Sequence, residues 1–69
     1  KLTPRQQEVL QLLTKGLSTK EIAATMQVST KAVEFHKGNI TRRLGIRTTA
    51  ELTRFALSQG LTKLDDQHP

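Results

Sequence analysis

Residues 19–33 read Thr19-Lys20-Glu21-Ile22-Ala23-Ala24-Thr25-Met26-Gln27-Val28-Ser29-Thr30-Lys31-Ala32-Val33, and the placing of apolar side chains in this stretch decides the fold. Ile22, Ala23 and Met26 fall on one side of a helix with a 3.6-residue repeat. Val28 returns to the interior after a single intervening residue, and Val33 starts the stripe of a second helix. Ala23 is small where two helices must approach closely, and Val33 ties the second helix to the first. The turn between Met26 and Val28 spans only a few residues, which is helix-turn-helix spacing. One position departs from the pattern: Gln27 stands where such turns often carry glycine.

Boundary signals extend the reading outward. Ser18-Thr19-Lys20-Glu21 is a capping box ahead of the first helix of the pair, Ser29 caps the second, and Gly45 follows its end at about Leu44. Upstream, Thr3-Pro4-Arg5-Gln6 supplies a capping Thr, a Pro at the first helical position and a Gln three residues after the cap. Val9, Leu10, Leu13 and Leu17 follow at helical spacing, with Gly16 closing the segment. Downstream, Thr48-Thr49-Ala50-Glu51 opens a fourth helix, expected to end near Gly60. No segment sustains a strand's alternation. The expected fold is all-α, a four-helix bundle with a central helix-turn-helix and no wing. It forms one domain over 1–64, followed by a disordered tail over 65–69 that has too few apolar residues to pack. The expected core is Leu10, Leu13, Leu17, Ile22, Ala23, Met26, Val28, Val33, Ile40, Leu44, Ile46, Leu52 and Ala56, with Phe55 also facing inward.

Sixty-nine residues without cysteine leave room for neither a second domain nor a disulfide or thiolate scaffold, and they suit a reducing cytoplasm. No apolar run approaches the length of a membrane span. The chain opens on Lys1, which suggests a piece of a longer protein. Eleven basic against six acidic side chains give a net charge of +5. The excess is uneven: nine basic and three acidic residues lie within 1–47. A basic surface distributed in this way favours a polyanionic partner. No nucleophile, base and acid come together in the pattern, and His36 and His68 lack a carboxylate at ligand spacing. Neither an enzyme nor a metal or other cofactor is therefore expected. His36 reads as a packed scaffold residue.

Residues 30–44, turned by about 100° each, divide into two faces. Val33, Ile40 and Leu44 lie on one, with His36 at its edge. Lys31, Glu34, Phe35, Gly38 and Arg42 lie on the other. Fifteen residues make a rod roughly 22 Å long, which fits a major groove about 12 Å wide. An outward Phe35 calls for a covering surface such as a thymine methyl, and Gly38 costs helix stability unless another surface comes close. Lys31, Glu34, Phe35 and Gly38 are thus the candidate base contacts on double-stranded promoter DNA. Thr19, Lys20, Thr30, Lys37, Arg42, Arg43 and Arg47 frame them as candidate phosphate contacts. Glu34 either accepts from a cytosine amino group or pairs along the helix with Lys31 or Lys37. In the fourth helix, Ala50, Thr53 and Leu57 form a second, outward stripe. This stripe suits a homodimer contact that is weak in the isolated domain. Two alternatives compete: a module whose outer face binds a protein such as an RNA polymerase subunit, and a cationic helix on an anionic membrane. The core-facing stripes and internal caps speak against the membrane reading.

Taken in order, Leu2-Thr3-Pro4-Arg5 with Glu8-Val9-Leu10, then Gly16-Leu17-Ser18-Thr19-Lys20-Glu21-Ile22-Ala23, Val33-Glu34-Phe35-His36, Asn39-Ile40 and Arg43-Leu44-Gly45 resemble the C-terminal DNA-binding domain of the LuxR/NarL/FixJ family of bacterial regulators. The resemblance spans Leu2 to about Leu61. It implies four helices with the third as recognition helix, dimerisation through the fourth, and two half-sites in promoter DNA. It also implies an N-terminal receiver or sensor domain that is missing from this chain. Three positions depart from the family pattern. Gln6 stands where an acidic residue is usual, Gly38 where a polar or basic side chain is frequent, and Glu34 where many relatives carry Lys.

Overall fold

A computed structural model of the chain describes residues 2–67, with side chains described through Gly60. Four helices follow one another: α1 Pro4–Thr14, α2 Thr19–Met26, α3 Thr30–Leu44 and α4 Thr49–Gln67. No strand occurs among the described residues. The chain is all-α, as its periodicity predicts.

Each expected cap forms. Thr3 and Ser18 accept from the backbone N–H of Gln6 and Glu21, and these two side chains return the bond to the cap's own N–H. Such reciprocal bonds satisfy donors that a helix start otherwise leaves open. Ser29 accepts from the N–H of Ala32 at 3.0 Å. At α4 the reciprocal bond shifts by one residue: Thr48 accepts from Glu51, whose carboxylate takes the N–H of Arg47. Left-handed backbone ends the helices at Gly16 (φ +83°) and Gly45 (φ +70°). The turn between α2 and α3 uses the same geometry at Gln27, with φ +58°. A side chain there is strained where a glycine is not.

All four helices contribute to one core: Val9 and Leu13, then Ile22, Ala23 and Met26, then Val33 and Ile40, then Leu52 and Ala56. Leu10, Leu17, Val28 and Ile46, expected inside, pack against this core while only partly buried. Two expectations need correction. Leu44 is 40% and Phe55 39% exposed. Leu44 holds the right angular face but lies at the last turn of α3, beyond the end of the packed layer. Phe55 leaves the core to Leu52 and Ala56 and turns into a flanking groove with Leu10 and Leu44.

The backbone of α4 continues past the expected end near Gly60 to Gln67. The expected tail over 65–69 falls on residues whose side chains, and at 68–69 whose backbone, lie outside the described residues. Gly60 is a crossing point. A Cβ built there would lie 2.2 Å from the Thr14 carbonyl oxygen. Only glycine lets α4 lie this close to the end of α1.

Candidate nucleic-acid interface

The α2–α3 pair presents α3 outward across a buried seam. Val33, Lys37, Ile40 and Thr41 are the buried residues of α3, while Lys31, Glu34, Phe35, Arg42 and Arg43 are exposed. Lys31, Glu34, Phe35 and Arg42 lie along the outer side of the helix, in agreement with the angular reading, while Arg43 flanks the core on the side opposite Glu34. Phe35 is 65% exposed and meets only the edge of the neighbouring His36 ring, with centroids 6.0 Å apart. His36 is half-buried, as suits a scaffold residue.

Gly38 follows one turn later. A Cβ added there would find only the Arg42 guanidinium, at 3.9 Å. Packing within the domain gives no reason for glycine at this position. The Gly38 carbonyl accepts from the Thr41 hydroxyl at 2.6 Å, which keeps Thr41 satisfied in its buried position.

The cations do not form one uniform rim. Lys20 and Lys31 are exposed, and neither makes a hydrogen bond or ion pair with a described residue. Arg42 donates to the Asn39 side chain, which holds the guanidinium along the outer edge of α3. Arg47, in the turn after α3, is exposed, and its backbone N–H is bonded to Glu51. Arg43 is exposed, as is Thr30 in the first turn of α3.

Lys37 differs from the other cations. It is only 7% exposed, and its ammonium donates to the Thr19 hydroxyl at the first turn of α2. Its aliphatic stem lies in the seam, and its charge emerges where the N-terminal end of α2 already carries positive partial charge. The placement leaves Glu34 without the pairing proposed for it with Lys37. Glu34 makes no hydrogen bond or ion pair with any described residue, Lys31 included. The sequence carried a signal for the inward Lys37. Position 37 falls between Val33 and Ile40 on the core face, and its charge alone argued for the surface.

Bonds from the Ser18 backbone N–H first, and then its side chain, hold the Glu21 carboxyl below the usual carboxylate range. This is the electrostatic signature of the α2 capping box, and it lies beside Thr19 and Lys20.

On α4, Ala50 is exposed and Leu57 39% exposed, while Thr53 is half-buried and bonded to the Thr49 carbonyl at 3.0 Å. The stripe is therefore narrower than the sequence suggested. The opposite flank of α4 carries a feature that periodicity did not reveal. This is a groove of about 270 Å³ lined by Leu10, Leu44 and Phe55 with neutral polar side chains around them. Among the described residues no cluster of His, Asp and Glu could hold a metal, and no helix is long and apolar enough to cross a membrane.

Residues 1–56 match the family described as bacterial regulatory proteins, luxR family. The transcriptional regulatory protein MctR of Rhizobium johnstonii is 45% identical over 60 residues, which cover 87% of this chain and 28% of the relative. The oxygen regulatory protein NreC of Staphylococcus aureus is 43% identical over 60 residues, 87% of this chain and 28% of the relative. The response regulatory protein YgeK of Escherichia coli is likewise 43% identical over 60 residues, 87% of this chain and 41% of the relative. The chain thus spans less than half the length of these relatives.

Proposed function

Since the chain belongs to the luxR family of bacterial regulatory proteins, we propose that it binds promoter DNA with α3 in the major groove, as the effector part of a response regulator. The family is one of DNA-binding transcription regulators and not an enzyme class. The relatives' names, a transcriptional regulatory protein, a response regulatory protein and an oxygen regulatory protein, support a phosphorylation-controlled receiver or another sensor domain elsewhere in the whole protein.

The observation that carries the docking is the outer face of α3. An exposed aromatic, an unpaired carboxylate and a glycine met only by the Arg42 guanidinium lie on the outer side of a helix whose other side is locked into the core. Lys31, Glu34, Phe35 and Gly38 meet base edges; Lys20, Thr30, Arg42, Arg43 and Arg47 meet phosphates around them. Lys37 and Thr19 act together. A phosphate at the start of α2 receives the helix's open N–H groups and the Lys37 ammonium from behind, which removes the conflict of a cation at a positive helix end. Two copies occupy two half-sites and touch through Ala50, Thr53 and Leu57, joined mainly by the shared duplex.

The test is the salt dependence of duplex binding. Lys20→Ala and Arg42→Ala should each weaken binding to specific and random duplexes alike and lower the log–log salt slope by about one. A parent chain whose affinity for duplex DNA does not change with salt would refute the docking.

A further inference from the structure

Glu34 is the anomaly of the outer face. A carboxylate approaching a phosphate-rich groove is repelled unless a fixed donor receives it. Within the domain neither Lys31 nor Lys37 compensates it: Lys37 is committed to Thr19, and Glu34 has no bond to a described residue. The major groove offers two base donors, the N4 amino group of cytosine and the N6 amino group of adenine. Beside the adenine amino group stands the N7 acceptor, which repels a carboxylate, whereas beside the cytosine amino group stands the apolar C5 edge. Cytosine is therefore the better match. Phe35, next in the chain and 65% exposed, presents an apolar edge, and the apolar group of the major groove is the C5 methyl of thymine. Side chains at consecutive positions of α3 leave it about 100° apart after a rise of about 1.5 Å, so the two reach separate base edges that are close together.

We infer that Glu34 and Phe35 together read two neighbouring pyrimidines on one strand of each half-site, the carboxylate receiving a cytosine N4 amino group and the ring covering the adjacent thymine methyl. Gly38, one turn later and without a Cβ, lets the helix backbone sink far enough for the Glu34 side chain to reach the base. The inference rests on the major-groove docking of α3 and adds to it the identity of the bases read.

Selection of binding sites from random duplexes by the parent chain, by Glu34→Ala and by Phe35→Ala tests it. Both side chains are exposed, so the variants should melt at the parent temperature. The parent should select a cytosine–thymine step, in either order, in each half-site. Glu34→Ala should lose the cytosine preference, a discrimination of about 5- to 150-fold, and bind random duplexes more tightly than the parent. Replacing the thymine by uracil, which deletes only the methyl, should cost the parent about fourfold and Phe35→Ala nothing. Selected sites identical for parent and Glu34→Ala, or lacking the pyrimidine step, overturn the inference while leaving the docking intact. A parent chain without salt-dependent duplex binding overturns both.

Discussion

Two glycines inside helices should respond to the same substitution with opposite signs. Replacing glycine by alanine in a helix interior normally stabilises by about 1 kcal/mol. At Gly38 the new methyl meets nothing nearer than the Arg42 guanidinium at 3.9 Å, so that gain should appear almost whole. At Gly60 the methyl would lie 2.2 Å from the Thr14 carbonyl oxygen, against an ordinary contact of at least 3.4 Å. The helices must part by the difference, 3.4 − 2.2 = 1.2 Å, and the obstacle is backbone that cannot rotate away. Overpacking of this kind costs about 1–3 kcal/mol, and contact with backbone puts Gly60 in the upper half of that range. With the propensity gain subtracted, Gly60→Ala should be destabilised by about 1–2 kcal/mol. In a domain of this size each kcal/mol moves the midpoint by about 4–8 °C. Thermal melts followed by far-UV circular dichroism should therefore show Gly38→Ala about 4–8 °C above the parent and Gly60→Ala about 5–15 °C below it. A Gly60→Ala variant as stable as the parent refutes the close crossing of α1 and α4. Gly38→Ala has a second reading in the same preparation. If the α3 backbone presses against DNA at that turn, the more stable variant should bind its site less tightly than the parent.

Gln27→Gly should stabilise the domain by about 0.5–1 kcal/mol in the same melts, because glycine adopts the left-handed turn without strain; a lower midpoint would mean that the Gln27 side chain contributes more than its backbone costs. Leu57→Glu should abolish cooperative binding to a duplex carrying two half-sites while leaving affinity for a single half-site nearly intact, and equal loss on both would count against the α4 stripe. Acid should act through α2. The Glu21 carboxyl titrates lower in the folded chain than in the unfolded one, so its contribution is present above the ordinary carboxylate range and is lost as the pH falls through the folded value. Ser18→Ala should remove about 1 kcal/mol at neutral pH but keep the backbone N–H that bonds Glu21, whereas Glu21→Gln should flatten the acid side of the stability profile, and an unchanged profile in Glu21→Gln would show that this carboxyl is not its source.

Helix number, the caps and the tight α2–α3 turn were legible because each rests on local chemistry: Thr3 and Ser18 before Gln6 and Glu21, and Gly16 and Gly45 after the last apolar residues. What escaped the sequence is mostly where residue type and position disagree. Gln6 and Lys37 both sit on core faces by the helical repeat, and both are buried, the amide through its capping bonds and the ammonium through Thr19. The charge of Lys37 argued for the surface, and the partner that reconciles it with burial is 18 residues away in sequence. Phe55 and Leu44 fail in the other direction, since an apolar side chain on the right face still needs a neighbour at that height of the bundle. Gly60 resembled a helix end because a crossing contact leaves no local trace. At the interface the outward residues of α3 could be named from periodicity, but the isolation of Glu34 depended on where the Lys37 charge goes.

The sorting of α3 also separates two kinds of heritable change. Positions 33, 37, 40 and 41 hold the helix in place, while 31, 34 and 35 make no hydrogen bond or ion pair within the described residues. A substitution in the first group acts first on whether the domain still folds; under the docking proposed for α3, one in the second acts only on which promoters are found. A duplicated copy of the gene can therefore drift to a new set of targets through a few codons of one helix, without passing through an unfolded intermediate.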